Sequence, residues 1–435
     1  MYSSFDDNIS ARKLFDTTPV NVLDIVSWNT LIDGCVKSGD LDLAREIFDR
    51  MPERNDVSWT AMISGYAKSG ELDVAQSLFD KMMPVCRNVM TWNSMISGFA
   101  KSGFLSLARK MFDDMPCKNI VSWNIMVSGY AQCGELEVAR CLFDDMEVKD
   151  VFSWSCMIAG YAQNNRGEDG LNLFREMLAE DCIRPNEVTL VSVLSVCGHL
   201  VALDQGKWIH SYIDRNGCKV SGNLGAALID MYAKCGCVEN AVEVFQKMND
   251  KNISTWNALI TGFAVNGVAD GAIEAFSQMQ KLEMKPNSIT FLGVLMACCH
   301  GGLVEEGRRY FEIMSKTYEI QPEMKHYGCI IDLLGRAGLL EEAEAIVKTM
   351  TVKPDVMVLG ALFGACRIHG ETLIADRLRK DFLRMKSREA GCHILLSNIY
   401  AAAGRWADAC STRSMLTMHE IKKGVGLSSV ELPKI

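Results

Sequence analysis

Along residues 120–150, apolar Trp123, Met126, Val127 and Tyr130 recur at i, i+3, i+4 and i+7, the spacing of one helical face. After Gly134 a second stripe begins, Leu136, Ala139, Phe143 and Met146. Two amphipathic helices broken at a glycine predict a helical hairpin, the glycine closing the first helix in a left-handed conformation. The pattern returns down the chain. Val121-Ser122-Trp123-Asn124 recurs in kind at Val26–Asn29, Val57–Thr60, Met90–Asn93, Phe152–Ser155 and Ser254–Asn257, and the first five tryptophans sit 31, 33, 31 and 31 residues apart. Gly39, Gly70, Gly103, Gly236, Gly267, Gly302 and Gly338 repeat Gly134, while Ala44/Phe48/Met51, Ala75/Phe79/Met82 and Ala108/Phe112/Met115 repeat the second stripe. Such a period predicts stacked hairpins that bury their apolar faces only against one another.

The units run 25–55, 56–88, 89–119, 120–150, 151–186, 187–221, 222–252, 253–287, 288–323 and 324–355, followed by two further helical pairs. Residues 1–24 align with the second half of a unit, which reads as an N-terminally truncated chain. Short units and a longer one fill 25–186, mixed long and short units fill 187–355, a tail of related pairs fills 356–423, and 424–435 departs from the pattern.

Composition changes this picture little. No apolar run approaches the ~20 residues that span a bilayer. Seventeen cysteines stand singly, mostly at helical positions, and read as reduced thiols. No Cys-x-x-Cys occurs, and Cys235-Gly236-Cys237 and Cys298-Cys299-His300 lack partner pairs, so neither a metal nor another cofactor is expected. The net charge of −9 argues against nucleic acid as a partner. Its placement softens that objection. Acidic Asp42, Glu46, Asp49, Asp73, Asp80, Glu137 and Asp144 fall on second helices, whereas Lys37, Lys68, Lys101, Lys234 and Arg336 share one slot at the end of first helices. That slot suits phosphates and equally suits the helix dipole.

Residues 227–236 (Ala-Leu-Ile-Asp-Met-Tyr-Ala-Lys-Cys-Gly), 332–338 (Asp-Leu-Leu-Gly-Arg-Ala-Gly) and 396–406 (Leu-Ser-Asn-Ile-Tyr-Ala-Ala-Ala-Gly-Arg-Trp), with the Val-Ser-Trp-Asn openings, carry a specific resemblance. The chain resembles plant pentatricopeptide repeat proteins of the PLS class, E subgroup, over essentially its whole length. The resemblance implies an all-α, right-handed superhelical solenoid that binds single-stranded RNA in a mitochondrion or chloroplast, one base per unit. It implies that the fifth and last residues of each unit read the base: Asn29/Asn55, Thr60/Asn88, Asn93/Asn119, Asn124/Asp150, Ser155/Asn186, Ala226/Asn252, Asn257/Asn287 and Gly328/Asp355. By the family's code the first five pairs favour pyrimidine, A, pyrimidine, U and A. Val191 and Leu292 stand fifth in long units and cannot hydrogen-bond. Val26, Val57, Met90, Val121 and Phe152 would wedge between bases, and the tryptophans are read as core.

A plainer account of the same residues stays open, because Asn or Asp before a helix is a common N-cap. Many relatives continue into a zinc deaminase domain with His-x-Glu and Cys-x-x-Cys; the two motifs do not occur together here. No enzyme activity and no small-molecule substrate are expected, and the resemblance implies a specificity factor for C-to-U RNA editing. Its partners would be RNA and, docked in trans through the tail, a deaminase of the DYW type with other editing proteins. Splicing, stabilisation or translation of organellar RNA is the alternative role, and a protein-binding scaffold like the tetratricopeptide repeats is the rival class.

Overall fold

Most first helices begin where an Asn or Asp side chain holds the backbone extended and accepts orphan N–H groups of the first turn. The computed structural model describes residues 24–180, 183–220, 222–384 and 390–418. Among them the elements are helical, one short 3₁₀ turn at Pro84–Cys86 included. Asn119 precedes Ile120–Gln132, its Oδ1 accepting from Ser122 N–H while its own N–H donates to the Ser122 hydroxyl. Asn55, Asp150 and Asn287 form the same reciprocal box. At the other end Gly134, with φ 83°, lets Glu135 N–H reach Tyr130 C=O at 3.0 Å, and the second helix, Leu136–Asp144, starts at once. The other seven glycines assigned to this role also have positive φ.

The chain divides into two compact units, residues 1–200 and 201–435. In the first, hairpins Ile25–Ser38/Leu41–Arg50, Asp56–Ser69/Leu72–Lys81, Val89–Lys101/Leu105–Asp114, Ile120–Gln132/Leu136–Asp144 and Val151–Gln163/Gly167–Ala179 stand in a row, closed by Glu187–His199. The second opens with Leu203–Arg215 and continues with the pairs from Gly222–Lys234/Val238–Lys247 through Ala390–Ala402/Trp406–Met418. Within each unit successive first helices pack side by side, and each second helix packs on its own first helix and on the next. The half repeat at 1–24, except Asp24, the last residue of unit 187–221 (Ser221) and the tail at 424–435 lie outside the described residues.

The six tryptophans of the repeated opening are buried or half-buried, whereas Trp208 and Trp406 are exposed. Trp59, Trp92, Trp123, Trp154 and Trp256 each meet edge-on the phenylalanine of the preceding second helix, at 4.6–5.0 Å between ring centres, an arrangement worth ~0.5–1.5 kcal/mol beyond burial. A basic residue just before each cap covers the same ring: Arg54 over Phe48, Arg87 over Phe79, Lys118 over Phe112, Lys149 over Phe143 and Lys251 over Phe245. These cations serve packing, and nothing in their spacing had marked them. Nor had anything marked the glycine of the recurring Gly-Tyr/Phe-Ala. A methyl on Gly98, Gly129, Gly160 or Gly262 would stand 2.6–2.9 Å from the Cβ of Ala67, Ala100, Ala131 or Ala233, so first helices approach at their backbones.

Candidate nucleic-acid interface

The cap and the fifth residue of the preceding unit meet. Asn29 Nδ2 donates to Asn55 Oδ1 at 3.2 Å, Asn93 Nδ2 to Asn119 Oδ1 at 3.3 Å, Asn124 Nδ2 to Asp150 Oδ1 at 3.3 Å and Asn257 Nδ2 to Asn287 Oδ1 at 3.2 Å. Ser155 Oγ donates to Asn186 Oδ1 at 3.3 Å. Thr60 reaches Asn88 through a third side chain: its Oγ1 lies 2.7 Å from Thr91 Oγ1, which donates to Asn88 Oδ1. Ala226 and Gly328 offer nothing to Asn252 and Asp355, which cap Thr255 and Val358.

Capping and base reading are therefore not competing accounts. The backbone N–H that defines each cap identifies the atom it meets as oxygen, which settles the amide orientation from the hydrogen-bond network. Ser58, Thr91, Ser122, Thr189 and Thr290 N–H fix Oδ1 of Asn55, Asn88, Asn119, Asn186 and Asn287 in this way. What each asparagine has left is its NH₂ group, a donor. Asp150 spends Oδ1 on Ser153 N–H and Ser153 Oγ, both at 2.8 Å, and has left Oδ2, an acceptor. Burial pushes the Asp150 carboxyl upward, but the Ser153 N–H, the Ser153 hydroxyl and the Asn124 amide outweigh it, so its pKa falls below 3.8. It is ionised at neutral pH and can only accept.

Cavities open at successive hairpin junctions of the first unit. One of about 470 Å³ holds Asn93 and Asn119 between Met90 and Val121. The next, about 360 Å³, holds Asn124 and Asp150 between Val121 and Phe152. A third, about 200 Å³, holds Ser155 and Asn186 between Phe152 and Val188. Val26, Val57, Met90, Val121 and Phe152 are exposed by 48–68%, large apolar side chains held in solvent at one register. Val188 at 58% extends the series and was not singled out beforehand.

The basic row is divided. Lys37 is paired with Asp33 at 2.6 Å, Lys234 with Asp230 at 2.7 Å and Arg336 with Asp332 at 2.9 Å, each on its own helix. Lys68 and Lys101 are exposed beside the first cavity and make no ion pair among the described residues. Exposed pairs contribute ~0–1 kcal/mol, so phosphates could displace those carboxylates. On the second helices, Arg45, Arg109 and Arg140 hold Asp49, Asp113 and Asp144.

His369-Gly370-Glu371 has the letters of a deaminase His-x-Glu. Its imidazole Nε2 sits 3.0 Å from Gly335 C=O of the hairpin before and its carboxylate accepts from Leu373 N–H, so one group ties neighbouring hairpins and the other serves the turn. The described cysteines range from buried to exposed. Cys298, Cys299 and Cys366 are buried, and desolvation raises their thiols to about 12. Cys117, Cys133, Cys141 and Cys410 are exposed.

This repeating pair, set on stacked hairpins, defines the class. Family models for the PPR repeat match residues 26–56, 57–83, 90–120, 121–151, 227–253, 289–316 and 325–353, the PPR repeat family matches 149–199 and 251–300, and the E motif matches 369–431. The chain belongs to the pentatricopeptide repeat family and carries an E motif after its repeats. A chloroplastic pentatricopeptide repeat-containing protein of Arabidopsis thaliana is 43% identical over 253 residues, 58% of this chain and 34% of that protein. A mitochondrial one from the same plant is 44% identical over 259 residues, 59% of this chain and 38% of that protein. The chain thus spans well under half the length of these relatives. Among solved structures, the pentatricopeptide repeat protein PPR10 from maize superposes with a TM-score of 0.68 at 19% identity, over 92% of this chain and 59% of that one. PPR10 in complex with an 18-nt psaJ RNA element does so at 0.50 and 16%, over 97% and 78%. These likenesses show the fold.

Proposed function

We propose that this chain binds single-stranded RNA, one base per hairpin, and directs C-to-U editing at a chosen site while a deaminase is supplied in trans. The observation that carries the reading is the bonded pair of fifth and last side chains, repeated at successive junctions inside cavities walled by exposed apolar residues. Unstacked bases expose their Watson–Crick edges, and apolar or aromatic side chains take their faces. Uracil has an N–H at ring N3, which an ionised Asp150 Oδ2 accepts; cytosine N3 and adenine N1 are bare acceptors, which the NH₂ of Asn55, Asn88, Asn119 or Asn186 donates to. The expected order is pyrimidine, A, pyrimidine, U, A. The names of the Arabidopsis relatives support residence in a chloroplast or mitochondrion, and the E motif at 369–431 supports a tail that docks partners.

Asp150→Asn tests the reading without touching the fold, because Asn caps as well as Asp and already does so at Asn119. In a gel-shift series varied only at the fourth base, the parent should prefer U and the variant lose that preference by about tenfold, the worth of one good base contact. No RNA bound at low salt rejects the function; an unchanged U preference rejects the code. Sequencing organellar transcripts from plants lacking the gene separates editing from splicing, stabilisation or translation: an unconverted C at the predicted site supports editing.

A further inference from the structure

Where the third residue of a first helix carries a hydroxyl, as at Ser58, Thr91, Ser122, Ser153, Thr189 and Thr290, it belongs to the cap of its own hairpin and also follows the fifth residue of the hairpin before. Here the hairpins differ. Thr290 Oγ1 lies 2.6 Å from Asn257 Oδ1 and donates to it, so the Asn257 amide is held at both ends, by Thr290 and by Asn287. Thr91 and Thr189 likewise stand 2.7 and 2.6 Å from the hydroxyls of Thr60 and Ser155. Where the third residue is serine, that bond is missing. Asn29, Asn93 and Asn124 precede Ser58, Ser122 and Ser153, and the Oδ1 of each is buried with no hydrogen-bond partner among the described residues. Asn93 is 9% exposed and Asn124 only 3%. The serine hydroxyls point elsewhere: Ser122 and Ser153 donate to their own caps, Asn119 and Asp150. The threonine hydroxyls also lie 2.9–3.0 Å from Oδ1 of their own caps, so threonine, with its restricted χ1, bridges the cap and the fifth residue, where serine bonds only its cap.

We infer that the third residue of the following hairpin is a positioning residue for base recognition: threonine pins the fifth side chain in one orientation, and serine leaves its buried carbonyl unmet and the amide able to turn onto a base. This rests on the RNA reading above. A buried polar atom without a partner is costly, and any donor that meets it removes the cost. An Asn before serine therefore gains by rotating to accept from a base as well as donate to it. Asn257, its carbonyl already used, presents N–H alone. The pairs Asn93/Asn119 and Asn257/Asn287 are identical in letters, so fifth and last residues alone assign them one preference. The third residue assigns them two: a permissive pyrimidine position before Ser122 and a stricter one, favouring bases that offer an acceptor, before Thr290.

The test is selection by the full chain from a randomised single-stranded RNA pool, followed by sequencing. Asn119→Asp and Asn287→Asp, which turn the cap's donor into an acceptor, mark the nucleotide that each hairpin reads. The parent chain should show unequal selectivity at those two nucleotides, and the exchange Ser122→Thr with Thr290→Ser should reverse it, by about threefold or more at each. Thermal melting of the double exchange should be little changed, since the bond gained at Asn93 offsets the one lost at Asn257, and serine and threonine both fill this buried slot elsewhere in the chain (Ser58, Thr91, Thr189, Thr255). Each single variant should move only its own nucleotide, which a general loss of stability would not do. Equal selectivity in the parent, or selectivity that survives the exchange, overturns the inference while RNA recognition stands. A pool that shows no enrichment, or one in which the Asp variants mark no nucleotide, overturns the RNA reading and this inference with it.

Discussion

A single atom distinguishes the units. Asn119 and Asp150 occupy one slot, accept the same backbone N–H and meet the same amide from the hairpin before, yet one turns NH₂ and the other a carboxylate oxygen toward the cavity. The cap is thus what makes the remaining atom dependable: without a bonded Oδ1 an asparagine could flip and offer either group. Ala226 supplies the complementary case, for it faces Asn252 with no polar atom. Ala226→Asn should complete a pair like Asn257/Asn287 and raise affinity about tenfold for RNA carrying a pyrimidine at that position, measured by titration against an RNA with a purine there. Unchanged affinity for both would mean that this junction does not touch RNA.

Between helices, small residues and buried charge decide stability. Gly129→Ala would gain ~1 kcal/mol of helix propensity, but its Cβ would stand 2.9 Å from Ala100 Cβ, and overpacking of that kind costs ~1–3 kcal/mol. The clash should win, lowering the denaturant midpoint, and Ala100→Gly in the same chain should restore much of the loss. Glu344 joins the second helices Leu340–Thr349 and Leu373–Arg384. Both its oxygens are bonded by Arg377, at 2.8 and 2.7 Å, with Lys348 also at 2.8 Å. Arg377 chiefly, with Lys348, outweighs desolvation and holds the Glu344 carboxyl at about 2, below its ordinary 4.5. A depressed folded-state pKa stabilises above the unfolded value, so this contribution is complete above pH 4.5 and is lost as pH falls toward 2. Glu344→Gln should melt earlier at neutral pH and lose this part of the acid dependence between pH 4.5 and 2, read from melting curves across that window.

For the chain as a whole, a net charge of −9 and RNA binding are compatible because charge is sorted by layer. On the second helices Asp49, Asp113 and Asp144 are held by arginines, and across neighbouring hairpins Arg140 meets Glu176, Arg166 meets Glu137 and Arg308 meets Glu342. On the side of the cavities, Lys68 and Lys101 are the cations not committed to an ion pair among the residues there. Binding to a single strand weakens with salt with a log–log slope of about −0.7 for each phosphate neutralised. Lys68→Gln with Lys101→Gln should therefore flatten that slope by about 1.4 and leave base preference intact. A slope that does not move would place the phosphates elsewhere.

The hairpins were legible in the chain because helical period, αL glycines and caps are local: Trp123, Gly134 and Phe143 could be assigned from their neighbours in sequence. The exposed wedges and the variable fifth and last residues were legible too, as positions. Three matters were not. Asn124 and Asp150 are separated by 26 residues, and only the stacking of one hairpin on the next shows that they are bonded and that the cap of one hairpin is also the partner of the fifth residue before it. Lys118 and Lys149 carry no periodic mark in the chain, and only the folded hairpin sets them over the rings of Phe112 and Phe143. Ser122 and Thr290 each bond their own cap, and they part only in what they do for the hairpin before. Local pattern sets which helices form and what each presents; contacts across hairpins, which no period encodes, set which polar atoms are left over.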